Sequence, residues 1–224
     1  GNSMSYRNYS FYEDILVNEI FFIATHDKKL VKHEVLGKNV VCMWTQKKDA
    51  EAFLKKEDIN YDKIHQMDID RFVTYELDEV FDKGDEILIN PTGPSEGELV
   101  DVVAVTNELM SDLDNIRLKE FVKVVAKEDA VYGLSQKGQQ QFMMISDNEN
   151  EKPNIMPVWS DKARAQAVRD QDFEECELIE VEGEVFGEWL DELRDDDNAV
   201  AIDLKSGVVG TVVSAQKVSN ELTF

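Results

Sequence analysis

The sequence predicts an α+β fold made of two tandem copies of one unit, and three observations lead there. Apolar and aromatic blocks recur in the same order about 110 residues apart. Helix-period and strand-period segments are interspersed along each copy. Most connections between strands are too short for right-handed crossovers, so the sheets are expected to be largely antiparallel or mixed.

The recurrence can be followed block by block. Residues 10–19 run into the apolar Ile20-Phe21-Phe22-Ile23-Ala24, and residues 120–129 run into Ala130-Val131-Tyr132-Gly133-Leu134. Phe11 then matches Phe121, and Phe22 matches Tyr132. A second block pairs Val41-Cys42-Met43-Trp44-Thr45-Gln46-Lys47 with Met156-Pro157-Val158-Trp159-Ser160-Asp161-Lys162, once five residues are inserted in or near the loop 148–154. Ala50 and Ala52 fall on Ala165 and Ala167. A third block sets Leu77-Asp78-Glu79-Val80 against Leu190-Asp191-Glu192-Leu193, then Ile87-Leu88-Ile89 against Val200-Ala201-Ile202, Gly97 against Gly210 and Val100 against Val213.

Each copy is expected to open with an amphipathic helix, the spacing shown by Phe121, Val124, Val125 and Glu128. A strand follows, then a turn at 27–29 or 136–139. The next strand covers 30–34 or 141–145, and a third ends in Trp44 or Trp159. Thr45 or Ser160 is expected to be the N-cap, its hydroxyl accepting from a free backbone N–H. The helix it opens covers 47–56 or 161–170. A strand at 63–69 or 177–182 leads to a helix at 70–83 or 184–195, which puts Phe72, Leu77 and Val80 on one side. Two last strands, 86–90 and 99–105 or 199–204 and 211–216, close each copy. The first repeat is therefore placed at 5–106, the linker at 107–115 and the second repeat at 116–224.

With 42% hydrophobic residues, eleven Phe, six Tyr and three Trp, the chain has ample material for a packed core. Its charge is unusual. The 24 basic and 47 acidic residues leave a net charge of −23, and the acidity is shared: residues 1–112 hold 12 basic and 23 acidic, residues 113–224 hold 12 and 24. Such a field repels nucleic acid and anionic membranes, so neither is expected as a partner, and it favours a basic protein. The two cysteines are far apart. Cys42 sits in an apolar run and Cys176 in an acidic one, so no disulfide framework is expected. Gly1-Asn2-Ser3 before Met4 reads as a cloning remnant. No signal peptide or membrane span is apparent, and a cytoplasmic location is expected.

Four features carry a resemblance to a known family. They are the opening aromatic helix with Val131-Tyr132-Gly133-Leu134, the strand end Pro157-Val158-Trp159-Ser160, the helix from Phe186 to Leu193, and the closing hairpin from Ala199 to Val213. In these the chain resembles the uncharacterised bacterial domain-of-unknown-function family 2750, over residues 117–216 and more loosely over 8–104. The first copy lacks the Pro before Trp44 and the Gly after Phe22. A weaker likeness joins Val41–Thr45 and Ile87–Gly93 to the SseB amino-terminal domain. The resemblance implies the fold and brings no activity.

Motifs for chemistry are largely absent. His26, His33 and His65 all lie in the first copy without metal-ligand spacing and read as surface or turn histidines, so no metal and no cofactor is expected. No phosphate-cradling glycine loop and no nucleophile elbow occurs. Asp195-Asp196-Asp197-Asn198 lacks the ligand pattern of a calcium loop. Asn90-Pro91-Thr92-Gly93-Pro94 is a turn. Between Asp172 and Asp197 there are 13 acids and one base. Alternation puts Glu180, Glu182 and Glu184 on one strand face as a ridge for a basic partner. Trp44 and Thr45, with Trp159 and Ser160, end strands where helices begin, and they are the candidate ligand-binding residues. The expected function is non-enzymatic, that of a binding or adaptor protein. Two alternatives stay open. One is a small-molecule binder or enzyme with a site between the repeats, where Glu79 and Glu192 would pair. The other is an immunity-type or nucleic-acid-mimicking inhibitor. The chain is expected to be a monomer whose repeats are related by an approximate two-fold axis.

Overall fold

The computed structural model describes residues 9–146, 154–208 and 210–222. The chain forms two compact units that divide at Asp112–Leu113. The class is α+β, as expected.

In the first unit, α1 (Tyr9–Asn18) ends where Glu19 turns left-handed at φ 58°, its N–H bonding back to the Ile15 carbonyl. β1 (Ile20–His26) pairs antiparallel with β2 (Lys29–Leu30) on one side and with β5 (Lys63–Asp68) on the other, Ile23 opposite His65. A four-stranded sheet holds β3 (Lys32–Val35), β4 (Lys38–Met43), β6 (Glu86–Ile89) and β7 (Glu98–Asp101) in that order. Its β4–β6 pair is parallel, with Val41 opposite Ile87. A bridge between Phe22 and Trp44 joins the two sheets. The helix α2 (Lys47–Lys56) covers one face, burying Ala50, Phe53 and Leu54 against Ala24, Val40, Cys42, Trp44 and Leu88.

Three expectations for this unit are corrected. The single strand at 30–34 is broken into β2 and β3 at Val31. The helix at 70–83 is shorter and irregular: α3 (Ile69–Arg71), a π turn over Phe72–Glu76 and α4 (Leu77–Val80). Thr74 Oγ1 donates to the Asp70 carbonyl at 2.7 Å within that turn, a back-bond that loosens the backbone ladder. Strand β7 stops at Asp101 instead of continuing to Val105. There Asp101 Oδ1 accepts the Ala104 N–H at 2.8 Å and starts α5 (Val102–Glu128). Residues 107–115 lie in this helix. Val102, Val105, Leu109 and Leu113 are buried at helical spacing, and so are Leu118, Phe121 and Val125 after a five-residue step.

In the second unit α5 ends at Asp129, left-handed at φ 52°, with its N–H on the Val125 carbonyl. One five-stranded sheet follows, in the order β10 (Cys176–Val181), β8 (Val131–Gln136), β9 (Ile155–Trp159), β11 (Ala199–Ile202), β12 (Thr211–Ser214). Tyr132 stands opposite Trp159, Gly133 opposite Ile179, and the β9–β11 pair is parallel with Met156 opposite Val200. α6 (Lys162–Asp172) covers one face, and α7 (Gly183–Asp195) and α8 (Ala215–Glu221) add to the core on the other. The strand expected at 141–145 is only a bridge from Ile145 to Ile155. The closing strand 211–216 ends at Ser214, whose hydroxyl accepts the Lys217 N–H at 3.1 Å and caps α8. The five-residue insertion falls on a loop that, apart from Asn154, lies outside the described residues.

Candidate functional site

The tryptophans close the cores. Trp44 is 1% exposed and Trp159 0%. The Trp44 indole Nε1 donates to the Pro91 carbonyl at 2.6 Å, and that of Trp159 to the Leu204 carbonyl at 2.9 Å. The next residue in each case is held by the end of a neighbouring strand. Thr45 N–H donates to Asn90 Oδ1 at 3.0 Å, and Ser160 N–H to Asp203 Oδ1 at 2.8 Å. Asn90 and Asp203 are both left-handed, at φ 45° and 48°, a conformation that short polar side chains tolerate. The N–H groups offered to a ligand in the sequence reading are therefore engaged inside the fold. Thr45 and Ser160 are not the N-caps: α2 is capped by Gln46 without a side-chain bond, and α6 by Asp161, whose carboxylate accepts the Arg164 N–H at 2.9 Å. The hydroxyls turn elsewhere, Thr45 Oγ1 to Asp14 at 2.7 Å and Ser160 Oγ to Asp203 at 3.1 Å.

Burial raises the Asp203 carboxyl above its usual range, against the pull of the Ser160 N–H and hydroxyl and of Arg164; Asp161 adds to the rise. A raised acid stabilises the fold when protonated. Its contribution is complete below the ordinary aspartate range and lost as pH rises through the raised value. Asp203→Asn installs the residue of the first unit, where Asn90 Nδ2 also reaches Thr45 Oγ1 at 3.2 Å. The substitution is expected to remove this part of the pH dependence, so that the stability advantage of the variant grows from acid toward neutral pH. Urea titrations of both proteins across that range test this; parallel curves would refute the assignment.

The acidic ridge is split. Glu180 lies on the edge strand β10, whereas Glu182 is the N-cap of α7 and Glu184 belongs to its first turn. All three are exposed. The strand ends at Val181, so alternation does not carry Glu184 onto the face of Glu180.

The concavity of the first unit was not foreseen. A cavity of about 910 Å³ opens between the strands and the irregular helix. It arises from period-two alternation. Ala24, Val40, Cys42 and Ile64 turn toward the α2 core. Their neighbours Ile23, Thr25, Val41, Met43, His65 and Met67 line the cavity. Phe72, Glu76, Val80 and Phe81 form the opposing wall, with the π turn carrying two of them. Lys28, Lys29, Lys32 and Lys63 also line it, all exposed. No ion pair or side-chain hydrogen bond engages these four lysines among the described residues.

The histidines are correspondingly placed in strands rather than turns. His65 Nε2 lies 2.8 Å from Thr25 Oγ1 in the cavity wall, and the His33 ring packs edge-on against Phe53. His26 Nδ1 lies 3.1 Å from Asp62 and its Nε2 3.4 Å from Asp27. The Asp27 N–H, donating at 2.6 Å, and then His26 hold the Asp62 carboxyl below its usual range. These three residues bring their donor atoms within 4.8 Å of one another. They form a polar cluster at the surface in which carboxylates face both ring nitrogens, and no metal chemistry is assigned to it. The thiols are inert in character, with burial pushing Cys42 up to about 12 and raising Cys176 as well.

In the second unit the same side of the sheet is filled. Phe142 lies over Gly133, where a Cβ would sit 2.5 Å from the ring. The ring also meets Trp189 edge-on at 4.7 Å. Both belong to a large cluster with Phe121, Phe186, Val200 and Val213. Gly133 is thus a space requirement rather than a turn.

Residues 118–222, in the second unit, match the family model described as "Protein of unknown function (DUF2750)". No curated protein matches the chain. Among solved structures, a chain described as "Anabaena Tic22 (protein transport)" is similar at 9% identity and a TM-score of 0.26, over 85% of this chain and 91% of that one. No helix among the described residues is long and apolar enough to cross a membrane.

Proposed function

We propose that the protein is a non-enzymatic binding protein that takes a small molecule with an apolar body into the cleft of its first unit. The cavity carries this reading: its volume falls within the range of ligand sites, and Ile23, Val41, Met43, Met67, Phe72 and Phe81 give it an apolar lining. Every lining residue belongs to the first unit, so the site needs nothing from between the units. An octyl-chain probe, 1-octanol or octanoate, should stabilise the first unit, by about 2.7 kcal/mol at a hundredfold excess over Kd. Met67→Trp, which fills the cavity from β5, should abolish the effect. Calorimetry in which neither probe binds would reject the site.

We further infer that the two units are copies of one ancestral unit. The support is the shared order of pairing, with β5, β1, β4, β6 and β7 answering to β10, β8, β9, β11 and β12. Further support comes from matching details: the left-handed Glu19 and Asp129, the indole-to-carbonyl bonds, and the left-handed Asn90 and Asp203. On this correspondence Ile23 answers to Gly133 and Glu76 to Trp189. The aromatic plug of the second copy thus occupies what the first copy leaves open.

A further inference from the structure

The charge around the cleft is opposite in sign to that of the chain. Across 224 residues acids outnumber bases 47 to 24. Around this cavity four lysines face two carboxylates, Asp62 and Glu76. One of the two, Asp62, is already engaged by His26 and by the Asp27 N–H. Lys28, Lys29, Lys32 and Lys63 come from a turn and three different strands, β2, β3 and β5. The antiparallel pairings of β1 set β5, and with it Lys63, on the other side of β1 from β2. Their ammonium groups have no ion-pair partner among the described residues. In so acidic a chain, unneutralised lysines at the mouth of an apolar cavity are most simply explained by a ligand that supplies the missing negative charge.

We propose, building on the cleft as a ligand site, that its ligand is an amphipathic anion. The apolar chain would lie against Ile23, Met43 and Met67, and a single carboxylate-type head would sit among Lys28, Lys29, Lys32 and Lys63. The apolar lining supplies burial without direction, and the lysines select charge and orient the molecule with its head outward. The field of the rest of the chain repels anions at long range. The selection is therefore local, and it weakens as salt screens it.

Three probes with the same octyl chain separate head from tail: octanoate, 1-octanol and octylammonium. Calorimetry on the full chain at low salt should rank octanoate first, about tenfold tighter than octanol, the scale of one close charge contact, with octylammonium weakest. Raising the salt to about 1 M, where screening acts over about 3 Å, should bring octanoate down to octanol. Lys28→Gln, Lys29→Gln, Lys32→Gln and Lys63→Gln combined should do the same at low salt. Lys47→Gln, Lys48→Gln, Lys55→Gln and Lys56→Gln combined remove equal charge from α2, outside the cavity lining, and should leave the preference intact. Equal binding of octanoate and octanol by the native chain would overturn the anionic class while leaving the cleft as an apolar site. A preference lost equally in both quadruple variants would overturn the assignment to these lysines. Binding of no probe would reject the cleft itself.

Discussion

Trp159→Ala is expected to destabilise the second unit by about 3–5 kcal/mol. The side chain is fully buried among Leu134, Ala165, Val168 and Cys176, so truncation leaves a cavity bounded by a sheet and a helix that cannot both close in. It also orphans the Leu204 carbonyl that the indole N–H now satisfies. Urea unfolding followed by far-ultraviolet circular dichroism measures the loss, read as the midpoint of the second unit's transition because two units need not unfold together. A shift near zero would show that the indole contributes little to the core. Trp44→Ala, which orphans the Pro91 carbonyl, should act in the same way on the first unit.

Phe142→Ala is expected to cost the second unit a similar amount, about 3–5 kcal/mol, for a different reason. Phe142 lies on a segment that makes no strand, held by its ring and by the Met143 N–H bond to the Leu134 carbonyl. Its ring fills the space that Gly133 leaves and meets Trp189 edge-on, a pairing worth about 0.5–1.5 kcal/mol beyond burial. Removing it should open a void and raise hydrogen exchange at Met143 and Ile145. Phe142→Leu should retain most of the stability. If Phe142→Ala unfolds at the native midpoint, the plug is not a packing element.

Much of the fold was legible because it rests on local pattern. The helices at 47–56 and 184–195 and the strands ending in Trp44 and Trp159 follow from apolar spacing and turn residues, and they lie where expected to within a residue or two. Val102-Val103-Ala104-Val105 shows the limit. Its β-branched content reads as strand, yet the buried positions step by three and four from Val102 to Leu113. Asp101 decides the matter by capping a helix, and a cap depends on where the preceding strand stops. The N-caps were missed for the converse reason. Thr45 and Ser160 are good caps in isolation, but Asn90 and Asp203, far along the chain, take their N–H groups, and their hydroxyls donate to Asp14 and Asp203.

The sequence by itself determined the α+β class, the acidity of both halves, and the positions of the apolar stripes that became core, since each depends on composition or on residues a few positions apart. The tertiary structure alone decided where the open space lies. Lys28, Lys29 and Lys32 are close in sequence, but Lys63 is far along the chain and joins them because β1 pairs with both β2 and β5. Whether a sheet face is filled or open depends on single side chains such as Phe142, brought there from a segment with no regular structure. Pairing register and side-chain volume across distant segments set that outcome, and no local period encodes either.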